Sequence, residues 1–451
     1  MKQIINKINT AKHRIEAKTL LKLAVPAILA QVAQMSLGVI DTIMAGRYSA
    51  DALAAIAIGV SIFNPIIVFI IGIFLALSPI TAQFNGEENK KGVRQAFQSG
   101  IVLAVLLALP SSLLLTSLEP LLWQIGITEK IIPLTSGYLE ALAWGLIPLY
   151  CFFALRFCNE GMFATKAIMY CSIAAIPFNV VCNYWFINGG WGLAPMGAVG
   201  VGWATVVVWC VMALSLISYT ALAKRYHGYH LFTHWIKPKL KTYSEVFKIG
   251  LPMGIGLGME VALFGAVGLM IGRYSVPEIA GHQIALNISS MAYTISLGLS
   301  VAVTARVGYH IGKKDRIQAR DTGYMGIGFG VIISCVTAIA MVLFNQQLAQ
   351  IFTADTQVIT VAVQLLILAA IFQLSDGIQV NASGALRGMK DTKVPMLICT
   401  VAYWVIGFPV GYIFAEHFGM GVRGYWLAII TGLTLSAILM TRRFYQLVRV
   451  P

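Results

Sequence analysis

Charged side chains are scarce in this sequence. Asp, Glu, Lys and Arg account for 11% of its 451 residues, whereas soluble domains carry about 25%. Hydrophobic residues make up 58%, and the mean hydropathy is +0.79. A chain with so few charges cannot cover a water-exposed surface. We therefore predict an all-α polytopic membrane protein, in which no stretch resembles a separate soluble domain.

Several motifs that mark other protein classes are also missing. The seven cysteines form no CxxC pair, so the sequence indicates neither a disulfide framework nor a zinc site. There is no GxxxxGK[ST] loop for ATP, and no GxSxG or HExxH pattern, so we expect no enzyme. The polar start, MKQIINKINTAKHRIEAK, lacks the short apolar core of a cleaved secretory signal.

Long apolar runs predict twelve membrane-spanning helices. We place them at residues 19–45, 53–80, 95–117, 132–155, 167–188, 196–223, 245–271, 279–305, 321–346, 357–383, 394–415 and 421–441. An even number of spans puts both termini on the same side of the membrane.

The basic residues indicate which side that is. Of the 32 Lys and Arg residues, all but Arg47, Lys130, Arg273 and Arg423 fall on the side of the termini. Basic loops stay in the cytoplasm, so we predict that both termini are cytoplasmic. The formal charge of +14 then reflects topology and some attraction to anionic membrane lipid, and we expect no nucleic-acid partner.

An internal repeat organises the chain. Residues 22–100, shifted by 226 positions, align Pro26 with Pro252 and the four residues GRYS at 46–49 with the same four at 272–275. Each proline removes one backbone hydrogen bond and predicts a bend in its helix.

The repeat predicts two six-helix lobes related by a pseudo-two-fold axis along the membrane normal. The amino-terminal lobe covers residues 1–223, a cytoplasmic linker covers 224–244, and the carboxyl-terminal lobe covers 245–451. Repeats of this kind place a binding cavity between lobes that rock to give alternating access.

Two acids lie deep in the second lobe. The run 249–272 has 24 residues, enough to cross a bilayer core of about 30 Å, and Glu260 at its middle is its only ionisable side chain. Asp376 is likewise the only charge between Asp355 and Arg387. A charged group at this depth is costly and marks a functional site by default.

We predict that Glu260 and Asp376 face one another, with Tyr293 and Asn287 as neighbours. Burial and mutual repulsion would favour a proton on one of the two acids, and their oxygens would equally suit a hard cation such as Na⁺. The alternative is that neighbouring helices satisfy both acids structurally. Met259 and Phe264, close to Glu260, are candidates to line an adaptable pocket for flat lipophilic cations.

A second acidic site is predicted in the first lobe. Asp41 lies near the outer end of helix 1, and Asn179 and Asn183 are spaced so that they share one helix face. Together they would form a proton or cation site, although Asp41 could instead cap its helix or pair locally with Arg47. Asp355, at the mouth of helix 10, is either a solvated helix end or a cation gate.

Three segments resemble a known family. They are LAVPAILAQVAQMSLGVIDTIMAGRYS after the basic terminus, IAGHQIALNISSMAYTISLGLSVAVTARVG across helix 8, and ALRGMKDTKVPM before helix 11. With the six-plus-six repeat, they make the chain similar over residues 15–445 to the multidrug and toxic compound extrusion (MATE) family, and within it to the NorM-type bacterial exporters.

This resemblance implies export of cationic amphipathic drugs and dyes from a bacterial cell across its inner membrane. The export would be driven by Na⁺ or H⁺ flowing inward, with no other cofactor. Glu260 and Asp376 resemble the family's carboxyl-lobe cation pair, Asp355 and Tyr293 its accessory residues, and Asp41, Asn179 and Asn183 its amino-lobe site. We expect a monomer.

Phe372 leaves the coupling ion open. It lies four residues before Asp376, on the same side of helix 10, and offers no hydroxyl to coordinate sodium. We count Phe372 and Asn287 among the candidate residues of the substrate cavity.

Two other kinds of transport are alternatives. A lipid-linked oligosaccharide or cell-wall precursor flippase of related architecture would favour a basic cavity for pyrophosphate, whereas the charges here are acidic. A channel would not accumulate cargo against a gradient.

Overall fold

The fold was determined as a computed structural model, which describes residues 2–124, 126–190, 192, 194–236 and 240–449, with side chains from residue 12 onward. Every long segment of this part of the chain is helical. The helices are α1 Lys2–Tyr48, α2 Ala50–Leu75, α3 Leu77–Gly86, α4 Lys90–Thr116, α5 Glu119–Gln124, α6 Ile132–Trp144, α7 Leu146–Gly161, α8 Thr165–Asn188, α9 Gly197–Leu222, α10 Leu240–Ile271, α11 Val276–Gly312, α12 Arg316–Leu343, α13 Asn345–Gln350, α14 Thr356–Gly388, α15 Lys393–Thr400, α16 Phe408–Tyr412 and α17 Val422–Val448.

The prediction of twelve spans is confirmed. Eleven helical stretches in the described ranges are long and apolar enough to cross a membrane. The pair α6 and α7, bent by 49° at a short break, supplies the twelfth. One predicted span is less regular than a single α-helix, because π-helical turns at Val401–Gly407 and Ile413–His417 flank α16.

The chain forms two compact units. One contains Met1–Ile28 and Leu251–Pro451, and the other contains Leu29–Gly250. The first division falls inside α1, two residues after Pro26, and the second falls inside α10, just before Pro252. The predicted lobe boundaries stay a prediction. The contacts between residues group the start of α1, up to Ile28, with Leu251–Pro451.

In the unit that contains Leu251–Pro451, α11 and α14 pack in parallel register. Ser300 Oγ donates to the carbonyl of Val380 at 2.9 Å, and Thr304 Oγ1 donates to the carbonyl of Gly384 at 2.9 Å. Both bonds join residues 80 positions apart. Glycine at 384 permits this closeness, because a Cβ there would lie 2.5 Å from Ser300 Oγ. The register fixes which residues of α11 and α14 lie at the same depth.

The start of α1 packs against α11 in the same unit. A Cβ added to Gly298 would lie 2.6 Å from Ile28 Cα, closer than real Cβ contacts come. The obstructing atom is backbone and cannot rotate away, so only glycine allows this approach of the two helices.

We expect Gly298→Ala to destabilise the protein by about 1–3 kcal/mol, the usual penalty for overpacking. Thermal unfolding in detergent would measure the loss. Gly328→Ala is the matched control, since Gly328 lies in helix α12 with no atom within 4 Å of the added Cβ. Equal melting temperatures for the two variants would contradict the packing argument.

The segment before α10 is tied to α4, within the unit Leu29–Gly250. Gln98 of α4 is buried, donates to the carbonyls of Leu231 and His234 at 2.8 and 2.9 Å, and accepts from the backbone N–H of Ile236 at 2.9 Å. The predicted linker covers residues 224–244, but α10 already begins at Leu240, so the last residues of that linker are helical.

Candidate functional site

Glu260 and Asp376 line one cavity. Its volume is about 340 Å³, within the range of small-molecule sites, and its walls come from α10, α11 and α14. Asp376 is 2% exposed, and its Oδ2 has no hydrogen-bond partner among the described residues. Glu260 is partly exposed. Two carboxylates on the wall of one cavity repel each other when both are charged.

Most of the predicted neighbours lie on the same cavity. Tyr293 and Asn287 contribute from α11, Phe264 from α10 and Phe372 from α14. The remaining lining residues are apolar or neutral and polar: Leu257, Val261, Gln283, Leu286, Ser289 and Ser290. The cavity thus combines two acids, three aromatic rings and several neutral polar groups, and no lining residue is basic.

Sequence reasoning missed a buried cation in the same unit as these acids. Arg387, near the end of α14, is 8% exposed, interacts electrostatically with Glu260 and donates from Nη2 to Ser300 Oγ at 2.5 Å. Its position in a basic-looking stretch at the end of a span suggested a cytoplasmic loop. The structure instead buries it within the unit that contains the acidic cavity.

Two candidate residues lie outside the cavity. Met259 is not among its lining residues, because a step of one residue turns the side chain about 100° around α10. Its carbonyl accepts from Trp404 Nε1 at 3.2 Å. Asp355 is exposed and caps α14, where its Oδ1 accepts from the N–H of Gln357 at 2.8 Å. That geometry favours the helix-end interpretation of Asp355.

The other unit contains the second acidic site. Asp41 Oδ1 accepts from Asn179 Nδ2 at 2.9 Å and from Asn183 Nδ2 at 2.6 Å, while Thr205 Oγ1 donates to Oδ2 at 3.2 Å. Asp41 is 9% exposed, and the two asparagines are almost fully buried. Both carboxylate oxygens are therefore bonded to α8 and α9 rather than to Arg47.

Thr205 was not predicted. It is the only hydroxyl in the first half of α9, and that isolation within an apolar span was the available signal. The amide oxygens of Asn179 and Asn183 have no hydrogen-bond partner among the described residues. Each belongs to an amide whose nitrogen already donates to the Asp41 carboxylate.

A buried arginine donates a hydrogen bond to the repeat counterpart of Glu260. Gln34, which aligns with Glu260 in the repeat, accepts from Arg156 Nη1 at 2.5 Å and donates to Ser172 Oγ at 3.0 Å. Arg156 also forms an ion pair with Glu160 at 2.9 Å. At matching positions of the repeat, one unit thus has an acid that lines a cavity, and the other has a glutamine that is hydrogen-bonded to a buried arginine.

The helices and buried acids define a multi-pass membrane protein with an acidic cavity in one unit and a carboxylate–amide cluster in the other. The sequence profile of the MatE family matches residues 26–185 and 252–413, and the chain belongs to that family. The resemblance seen in the sequence is thereby confirmed.

Two relatives are similar over nearly their whole length. The Multidrug resistance protein NorM of Aliivibrio fischeri is 37% identical over 444 residues, which is 98% of this chain and 96% of the relative. The Probable multidrug resistance protein NorM of Mannheimia succiniciproducens is 37% identical over 443 residues, covering 97% and 95% of the two chains.

A solved structure has the same fold. The crystal structure of a eukaryotic MATE transporter superposes with a TM-score of 0.86 over 97% of this chain and 100% of that one, at 20% identity. The expected all-helical fold with two lobes of a MATE transporter is confirmed.

Proposed function

We propose that the protein is a secondary active multidrug exporter. It would expel cationic amphipathic drugs and dyes in exchange for Na⁺ or H⁺, with two lobes alternating access across the inner membrane and both termini in the cytoplasm. The observation that carries the proposal is the cavity shared by Glu260 and Asp376. The relatives whose names describe multidrug resistance support the same class of function.

The chemistry of the cavity suits cationic cargo. Aromatic faces attract cations, and Phe264, Tyr293 and Phe372 surround the two carboxylates. A volume of about 340 Å³ admits a dye-sized molecule. A flat lipophilic cation therefore finds both a surface on which to stack and a negative charge.

The same carboxylates explain how an ion would drive export. A cation or proton bound at Glu260 or Asp376 removes the negative charge that attracts the drug. Ion and drug then compete, and the ion's downhill entry returns the drug-free, ion-bound carrier to the state that loads drug. A ligand shifts such an equilibrium only by its difference in affinity for the two states. Tyr293 supplies the hydroxyl that Phe372 lacks, so either ion remains within the proposal.

The flippase alternative is less well supported. A pyrophosphate group requires Arg or Lys at the cavity wall, and this cavity is lined by two acids and no base. Arg387, a buried base of the same unit, is not among the residues that line the cavity.

Proteoliposomes loaded with ethidium test the proposal. We expect the purified protein to accelerate ethidium efflux when Na⁺ or H⁺ is more concentrated outside, with only one of the two gradients giving the full effect. The reason is that a single coupling ion neutralises the carboxylates. Fluorescence loss under each gradient in turn would identify the ion.

An ionophore that dissipates the effective gradient serves as the control. Efflux that continues unchanged after its addition would indicate a channel. Translocation of a pyrophosphate-linked lipid, with no ion-driven movement of ethidium, would favour the flippase.

A further inference from the structure

A buried histidine lies behind the wall of the acidic cavity. His282 of α11 is 4% exposed, and Trp426 of α17 is fully buried beside it. Trp426 Nε1 donates a hydrogen bond of 3.1 Å to His282 Nδ1, and the two rings meet edge to face with centroids 5.8 Å apart. These contacts fix both side chains against each other.

The contact continues to the cavity. The ring centroid of Phe372 lies 5.8 Å from that of Trp426, and Phe372 is 3% exposed. Phe372 is also one of the aromatic residues that line the cavity. An unbroken series of contacts therefore runs from His282 through Trp426 to the cavity wall.

The hydrogen bond determines the state of the histidine. An indole N–H only donates, so His282 Nδ1 accepts and the neutral ring carries its proton on Nε2. Nε2 has no hydrogen-bond partner among the described residues, and it faces Gly268 of α10, where an added Cβ would lie 3.7 Å away.

A buried donor without a partner destabilises the folded protein. A leucine of similar size would avoid that cost if packing were the only requirement. The acceptor at Nδ1 is what an apolar side chain could not supply.

We propose that His282 is a positioning residue for the cavity. By accepting from Trp426 it fixes the indole, and the indole fixes Phe372, so that the cavity keeps a flat aromatic wall. This wall would favour aromatic cations over aliphatic ones of similar charge. The inference rests on the proposed function, because it assigns a selectivity to the cavity that binds cargo.

Three variants separate the hydrogen bond from the packing. His282→Leu removes the acceptor, and His282→Asn restores one, since the Asn side-chain oxygen replaces Nδ1. Trp426→Phe removes the donor and keeps an aromatic ring against Phe372. Transport of ethidium and of tetrabutylammonium would be measured for each variant and for the combination His282→Leu/Trp426→Phe.

We expect His282→Leu to raise the KM for ethidium about fivefold, the equivalent of one neutral hydrogen bond, with little change in maximal rate. The KM for tetrabutylammonium should stay near the wild-type value. His282→Asn should recover most of the ethidium affinity, and His282→Leu should add nothing in the Trp426→Phe background.

Tryptophan emission provides a readout that does not depend on transport. The chain has nine tryptophans, so the signal of Trp426 is the difference between each protein and its Trp426→Phe counterpart. Loss of the hydrogen bond should move this difference spectrum to shorter wavelength in His282→Leu and leave it in place in His282→Asn.

The proposal is overturned if His282→Leu leaves the ethidium KM unchanged or raises both KM values equally. It is also overturned if His282→Asn behaves like His282→Leu. If His282→Leu does not fold, the Asn variant and Trp426→Phe still give the comparison. A wild-type protein that transports neither cation would instead refute the proposed function.

Discussion

Glu260→Gln is expected to abolish ion-driven export while the protein stays folded. The substituted amide keeps the shape of the side chain but cannot carry the negative charge, so neither a proton nor Na⁺ can be exchanged there. The remaining carboxylate, Asp376, is fully buried and cannot alone form the two-acid site. The variant should still bind lipophilic dyes through the aromatic residues of the cavity, only more weakly.

Binding measurements give this prediction a magnitude. Coupling free energies between two ligands are about 1–3 kcal/mol, which corresponds to a change in affinity of about 5- to 150-fold. In the wild-type protein, saturating coupling ion should weaken ethidium binding by a factor in that range. In Glu260→Gln the factor should fall close to one, because the amide binds no ion and the Asp376 carboxylate alone does not form the two-acid site.

Glu278→Gln is the matched control. Glu278 is a partly exposed acid on α11 whose carboxylate accepts from Ser275 in the capping box, and it lies outside the cavity. It should leave the ion effect on ethidium binding intact. Full ion-driven efflux by Glu260→Gln, or an equal loss in Glu278→Gln, would remove Glu260 from the coupling site.

Asp376→Asn distinguishes a shared site from a single acid. If both carboxylates hold the ion, this variant loses coupling to the same extent as Glu260→Gln. The comparison uses the same ethidium titration with and without the ion.

The acids could be predicted from the sequence because each is alone in its apolar run. Glu260 and Asp376 are the single ionisable residues of long spans, and a lone carboxylate at that depth requires a protein or water environment. Asn179 and Asn183 were found in the same way, since their spacing places both amides on one helix face. Both kinds of signal are local in the chain.

The residues that complete the sites depend on which helices are neighbours. Thr205 reaches Asp41 from α9, and Arg387 reaches Ser300 from α14. No spacing along the chain encodes either contact, because each joins residues of different helices whose relative register comes from packing. The same reason hid His282, whose partner Trp426 lies 144 positions away.

The irregular span before α17 shows a different limit. Apolar composition predicts one helix over 394–415, yet π-helical turns interrupt it. At Gly411 a Cβ would lie 2.3 Å from Ala428 Cβ, so α16 and α17 approach more closely than side chains would permit. Composition indicates that a segment spans the membrane, but not how its backbone adapts to such a contact.

The ion cluster at the start of α1 leads to the second large prediction. Glu16 is 6% exposed and accepts from both Nε and Nη2 of Arg306, the first at 2.8 Å. It also accepts from Thr322 Oγ1 at 3.0 Å, and His310 Nε2 lies 3.3 Å from its Oε1. One carboxylate thus anchors the start of α1 to α11 and α12 within the same unit.

Glu16→Gln is expected to destabilise the protein by about 3–5 kcal/mol. Removing one partner of a buried ion pair is strongly destabilising, and here the change removes the carboxylate that both Arg306 and His310 contact. Unfolding in detergent by heat or denaturant would measure the loss. Limited trypsin digestion should also cleave the variant faster at Lys18, because the anchored segment detaches before the rest of the unit unfolds.

The double variant Glu16→Gln/Arg306→Gln separates the lost attraction from the uncompensated charge. If the cost comes mainly from leaving the guanidinium buried without its carboxylate, removing both charges should be less destabilising than the sum of the single changes.

His13→Gln is the surface control. Its imidazole lies 3.2 Å from Asp321 and is 50% exposed, so the change should cost at most about 1 kcal/mol. The prediction fails if Glu16→Gln has the same melting temperature as His13→Gln and resists trypsin as well as the wild type does. That result would show that packing at Gly298, and not the carboxylate, holds α1 in place.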